Sequence, residues 1–127
     1  MLRLLPFIIL LQACGPDETL TGYASADAVY VLQTLDGNNV EFRATLQLPE
    51  QGKISGNGPC NSFFASQTAP YPWFDAGPIA ATRKACPELT EEAAYFAALS
   101  EMTISETLGL VLILTNDTGR EMVFQAE

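Results

Sequence analysis

The chain has 127 residues, room for one domain and little else, and a hydrophobic fraction of 48% that is ordinary for a globular protein. Its net charge is −9, and every one of the 15 acids lies after Cys14, with only Arg43, Lys53, Arg83, Lys84 and Arg120 beside them, which argues against nucleic acid or anionic lipid headgroups as direct ligands. Histidine is absent, which removes Ser-His and Cys-His nucleophile pairs and every His-containing zinc site.

Residues 1–13 read as an export signal. Arg3 precedes an apolar stretch from Leu4 to Leu11, and the small residue Ala13 follows. Eight apolar residues at ~1.5 Å each cover only ~12 Å, far short of a ~30 Å bilayer core, so the stretch is no spanning helix. The segment Leu11-Gln12-Ala13-Cys14 resembles the bacterial lipobox, which implies lipidation of Cys14. Two or three acyl chains would hold the protein durably where one binds marginally. Gly15 stands where Asp would favour inner-membrane retention, so the resemblance implies an outer-membrane anchor with the domain in the periplasm. The competing readings are a plain secretory signal with an incidental cysteine, or a buried first strand. Residues 14–27 are small and polar without a clear period and are expected to be a flexible tether.

From residue 28 to 127 the pattern is that of a domain. Ala28 to Leu32 reads as a strand ending at the turn Asp36-Gly37-Asn38-Asn39, and Val40 to Leu48 alternates as a half-buried strand. Lys53-Ile54-Ser55-Gly56 opens another strand, leading through a Gly- and Asn-rich loop to Cys60-Asn61-Ser62-Phe63-Phe64. Three prolines between Ala69 and Pro78 put Tyr71, Trp73 and Phe74 on a loop or edge strand, and Pro78 to Lys84 could form a further strand. One helix is expected between Pro87 and Met102, with Thr90 as N-cap, Glu91 and Glu92 as partners of the helix dipole, and Ala93, Phe96, Ala97 and Leu99 facing inward. Leu110 to Leu114, Asn116 to Gly119 and Glu121 to Phe124 form a strand, turn and strand. The sum is a single α+β domain on an antiparallel sheet.

Ile54-Ser55-Gly56-Asn57-Gly58-Pro59-Cys60-Asn61-Ser62-Phe63 is similar to the Gly-x-x-Gly-Cys-Asn-x-Phe signature of the META domain, or HslJ-like, family. Ala81-Thr82-Arg83-Lys84-Ala85-Cys86-Pro87 resembles that family's Thr-x-x-Ala-Cys segment, and an acidic helix and a Leu-rich hairpin follow in the family's order. The chain departs from the pattern at Tyr30, Pro59, Ala65 and Gln67. The resemblance implies a curved antiparallel sheet packed with one main helix, and it carries no established enzyme activity. It also assigns Cys60 and Cys86, left over once Cys14 takes lipid, to each other as a disulfide in an oxidising compartment. The rival readings are a metal site, for which two thiolates without His are a poor set, or a reactive thiol.

No catalytic constellation stands out, and no metal or cofactor is expected. Adjacent Glu91 and Glu92 point about 100° apart on a helix and cannot serve one bond. Asn61 and Thr82 are expected to be turn and strand hydrogen-bonders. The reading is a monomeric, non-catalytic module anchored by Cys14, presenting Tyr71, Trp73 and Phe74 to an envelope protein or peptide. The alternatives are a passive envelope-integrity factor, or a hydrolase or carbohydrate-binding protein built on Tyr71, Trp73 and Asp75. An exposed apolar patch at the three rings would favour a partner, and burial would favour the passive role.

Overall fold

The computed structural model describes residues 16–25 and 27–127; the signal-like segment and Cys14 lie outside the described residues. Alternation of inward and outward side chains builds nine strands: β1 (Val29–Leu35), β2 (Asn38–Asn39), β3 (Thr45–Glu50), β4 (Lys53–Asn57), β5 (Ser62–Ser66), β6 (Ala80–Ala81), β7 (Ile104–Leu108), β8 (Val111–Thr115) and β9 (Glu121–Ala126). A helix, α1 (Leu89–Glu101), lies between β6 and β7. All pairings are antiparallel in the order β6-β5-β4-β3-β1-β9-β8-β7, with β2 folded back on β1. Asp36 and Gly37 both take positive φ, as the two-residue turn between β1 and β2 requires.

The sheet is strongly curved around the helix. Tyr95 of α1 packs edge-on against Phe63 of β5 and Phe124 of β9 at centroid distances of 5.9 and 6.5 Å. Those two rings are therefore no more than about 13 Å apart, whereas four strand spacings across a flat sheet measure roughly 19 Å. Tyr30, Leu32, Leu46, Ile54, Leu112, Leu114 and Met122 line the same concave face and, with Leu99 and Met102, form one core. The Tyr95 hydroxyl donates to the Thr45 carbonyl at 2.8 Å, fastening the helix to β3, and burial pushes its pKa far up. At the other end Arg120 reaches both Glu101 of the helix (2.5 Å) and Asp36 of the first turn (3.0 Å).

Several expectations need correction. The strand anticipated over residues 40–48 begins at Thr45, because β2 and β3 pair along one edge of β1 and residues 41–43 leave that edge between them, Val40 N and the Ala44 carbonyl still bonding to β1. The helix is preceded by Glu88, so Thr90 lies inside it and caps nothing. Its buried face is Glu92, Tyr95, Ala98 and Leu99, while Ala93 and Ala97 face solvent. The strand β7 was not anticipated at all. Finally, the segment expected to be a tether is packed over its described part. Leu20 is fully buried in the core, Thr19 forms a backbone bridge with Pro70, and Gly22 and Tyr23 close a 3-10 turn on Thr19 and Leu20. The folded unit thus starts by Thr19 and not at Ala28.

Candidate functional site

The loop between β4 and β5 carries the Cys-Asn motif, and a glycine-lined approach lets it close on the helix. A Cβ at Gly58 would strike the Glu92 carboxylate, and one at Gly56 would land on the Thr45 carbonyl oxygen of the adjoining strand. The Gly58 N–H donates to the Asn61 carbonyl at 2.8 Å, so residues 58–61 form a tight turn whose N–H groups point at the helix. Glu92, only 4% exposed, receives them: its Oε1 accepts from Cys60 N (3.1 Å) and Asn61 N (2.6 Å), and its Oε2 from Asn61 Nδ2 (2.7 Å).

Asn61 carries the bonding onward. Its Oδ1 accepts from the Thr82 hydroxyl (2.9 Å) and Lys84 N (2.6 Å), and its Nδ2 also donates to the Lys84 carbonyl (3.1 Å). One asparagine thereby ties the β4–β5 loop, the 82–84 segment and α1 together. The Cys60–Cys86 disulfide, with Cα atoms 5.8 Å apart, crosses the same junction. Among the described residues no buried side-chain polar atom is left without a partner.

The chemistry open to this cluster is limited. Both oxygens of Glu92 are occupied by N–H donors, so this carboxylate is held by the loop and is not presented to a cavity. Cys60, Cys86 and Glu88 lie close enough to suggest a metal site, but the two sulfurs are bonded to each other and offer no thiolate. The Glu88 Oε2 stands 3.2 Å from the Cys86 sulfur as a contact only, because a disulfide sulfur carries no proton. A cleft of about 560 Å³ opens beside the loop, lined in part by Val29, Phe42, Arg43, Gln47, Asn57 and Glu88. Its cation is already engaged: Arg43 forms a bidentate pair with Glu127 at 2.8 and 3.0 Å, holding the Glu127 carboxyl below its ordinary pKa.

The three rings expected to form one partner surface divide. Trp73 is 58% exposed, Tyr71 is half-buried, and Phe74 is 2% exposed and belongs to the core. Successive residues on an extended strand face opposite ways, and Phe74 is the inward one. Trp73 sits on a turn closed by its own N–H to the Pro70 carbonyl (2.8 Å) and forms a backbone bridge with Ile104 of β7. The Tyr71 hydroxyl accepts from Thr107 N at 3.2 Å. Tyr23, not anticipated as part of this surface, stacks on Tyr71 with centroids 4.4 Å apart. Glu92 was also missed as a structural centre. Its signal was helical register, since Tyr95, Phe96 and Leu99 follow it at i+3, i+4 and i+7.

A loop closed by a disulfide and a buried Asn–Glu pair, on a curved antiparallel sheet around one helix, defines a disulfide-braced α+β module. The chain belongs to the META domain family, which it matches over residues 20–127. It is similar in fold to a protein from Burkholderia xenovorans solved by NMR, with a TM-score of 0.67 and 24% identity over 91% of this chain and 94% of that one. A second NMR structure matches with a TM-score of 0.59 and 22% identity, covering 77% of this chain and 87% of that one. A crystal structure of a DUF4847 family protein from Bacteroides vulgatus matches with a TM-score of 0.52 and 15% identity, covering 65% of this chain and 57% of that one. No curated protein matches the chain.

Proposed function

We propose that the protein is an exported, non-catalytic accessory module, held at the outer membrane by lipid on Cys14 and acting through contact by its exposed aromatic edge. The observation that carries this reading is the pairing of Trp73 and the Tyr23–Tyr71 stack on the surface, next to the bridge between Thr19 and Pro70, where the chain leads back toward Cys14. The Cys60–Cys86 disulfide supports an extracytoplasmic, oxidising setting. The engagement of Asn61 and Glu92 with backbone supports a structural role for the motif residues and a non-catalytic role for the whole. Labelled palmitate should enter the wild-type protein and not Cys14→Ser; equal labelling of both would overturn the anchor. Crosslinking in intact cells should capture the contact through Trp73-proximal positions, and a pattern unchanged by Trp73→Ser would overturn the role of the edge.

A further inference from the structure

The exposed apolar side chains are gathered, not scattered. Among the described residues seven large apolar side chains are exposed, and five of them, Tyr23, Trp73, Ile104, Leu108 and Leu110, lie on β7, in the turn after it, or on segments laid along its free edge. Trp73 stands directly opposite Ile104, bracketed by Phe74 N to the Thr103 carbonyl (2.8 Å) and Ser105 N to the Pro72 carbonyl (2.7 Å). That is the strand pairing in which facing side chains approach most closely. Tyr71 and Tyr23 continue the row toward Thr107, and Leu108 and Leu110 end it at the hairpin tip.

The N-terminal segment enters the fold at this same edge. Tyr71 N donates to the Glu18 carbonyl (2.6 Å), and Thr19 bridges Pro70. Thr19 is five residues from Cys14, and five residues at full extension span only ~17 Å. Acyl chains on Cys14 would therefore keep Thr19 within ~17 Å of the acylated residue, which leaves the edge close enough to reach the interfacial layer.

We propose that the β7 edge seats in the interfacial layer of a zwitterionic phospholipid bilayer, with Tyr23, Trp73, Ile104 and Leu108 as the inserted side chains. The inference rests on the lipid anchor proposed above. Trp and Tyr suit the interface because an apolar ring enters while an N–H or O–H stays wet. The edge carries Glu18, Asp75 and Glu106, and no Lys or Arg occurs in residues 16–25, 69–76 or 104–111, which disfavours anionic headgroups. A short tether gives an effective concentration of about millimolar, so a shallow contact suffices.

Trp73 is the only tryptophan, so its emission reports on this edge alone. Full-length protein purified from membranes is first weighed for acyl chains, then reconstituted into phosphatidylcholine vesicles whose lipids carry bromine near the glycerol. An acylated protein whose Trp73 emission shifts to the blue and loses most of its intensity supports the proposal. Acylated protein with unquenched, unshifted emission overturns the seating and leaves the anchor standing. Absence of an acyl mass overturns the anchor; the same chain coupled through the Cys14 thiol to a maleimide lipid then reads the edge separately, by the same two outcomes. Tyr23→Ser with Leu108→Ser, both surface changes, should relieve most of the quenching, and unchanged quenching would overturn the proposed contact. Emission that follows protein density in the bilayer and ignores bromine would assign the edge to a second copy, and emission that shifts only in native membranes would assign it to a protein partner. Either result overturns the lipid seat.

Discussion

Replacing Glu92 by Ala tests whether the Cys-Asn loop is held from the helix. The substitution strips acceptors from three donors at once: Cys60 N, Asn61 N and Asn61 Nδ2. A buried donor left unpaired costs about 1–3 kcal/mol, so three would cost roughly 3–9 kcal/mol if all stayed dry. Two effects offset this. The chain no longer buries a carboxylate, and the space vacated beside Gly58 lets water reach the loop. A net loss of about 2–4 kcal/mol is expected, a large share of a typical 5–15 kcal/mol total. Glu92→Gln should fall between: its oxygen can serve the two backbone N–H groups, but its NH₂ then faces Asn61 Nδ2. Asn61 cannot flip to relieve that clash without abandoning Thr82 and Lys84 N. Urea unfolding gives each value, and a double-mutant cycle with Asn61→Ala should show coupling of about 0.5–3 kcal/mol. An Ala variant within about 0.5 kcal/mol of wild type, or strict additivity in the cycle, would refute the reasoning.

Replacing Cys60 and Cys86 by Ser should lower stability by about 3–4 kcal/mol, since the bridge closes a 26-residue separation; wild-type protein should yield one linked peptide on non-reducing mass mapping, and two free thiols would contradict the pairing. Gly56→Ala should cost about 1–3 kcal/mol or more, because its Cβ meets backbone and not a movable side chain; thermal melts equal to wild type would show that β3 and β4 can spread. The Arg120 hydrogen bond, helped by the Glu121 N–H, holds the Asp36 carboxyl below the usual carboxylate range. A lowered folded pKa contributes stability that is present above the unfolded value near 4 and disappears as pH falls through the folded one. Arg120→Met should therefore move the Asp36 carboxyl titration, read by NMR, upward and flatten the acid limb of the stability curve; an unmoved titration would remove Arg120 as the cause.

Much of the fold was readable because the inner strands alternate cleanly. Tyr30 and Leu32, Leu112 and Leu114, and Met122 and Phe124 each point inward two residues apart. The edge strand β7 inverts that rule. Ser105, 1% exposed, faces in and gives its hydroxyl to the Pro72 carbonyl, while Ile104 and Leu108 face out. A pattern reader who expects apolar inside sees no strand there. Glu92 hides for the same reason: it occupies an inward helix position because loop N–H groups await it, and charge alone places it outside. Leu20 is one buried residue in a stretch with no period, so nothing local distinguishes packed chain from tether. Tyr71, Trp73 and Phe74 were found as a group, but which rings face outward depends on the bridge to Ile104, a partner 31 positions away.

The aromatic turn also settles what happens to the last strand of the sheet. An outermost strand normally offers a row of free N–H and C=O groups on which a neighbouring molecule can build, and a protein concentrated on a surface meets such neighbours constantly. Here Ser105 N is taken by Pro72 and Thr107 N by the Tyr71 hydroxyl, and at the opposite margin β6 is only two residues long and follows Pro78. The sheet thus ends in capped margins that resist strand-by-strand growth into aggregates, and crowding such molecules together need not zip them into fibres.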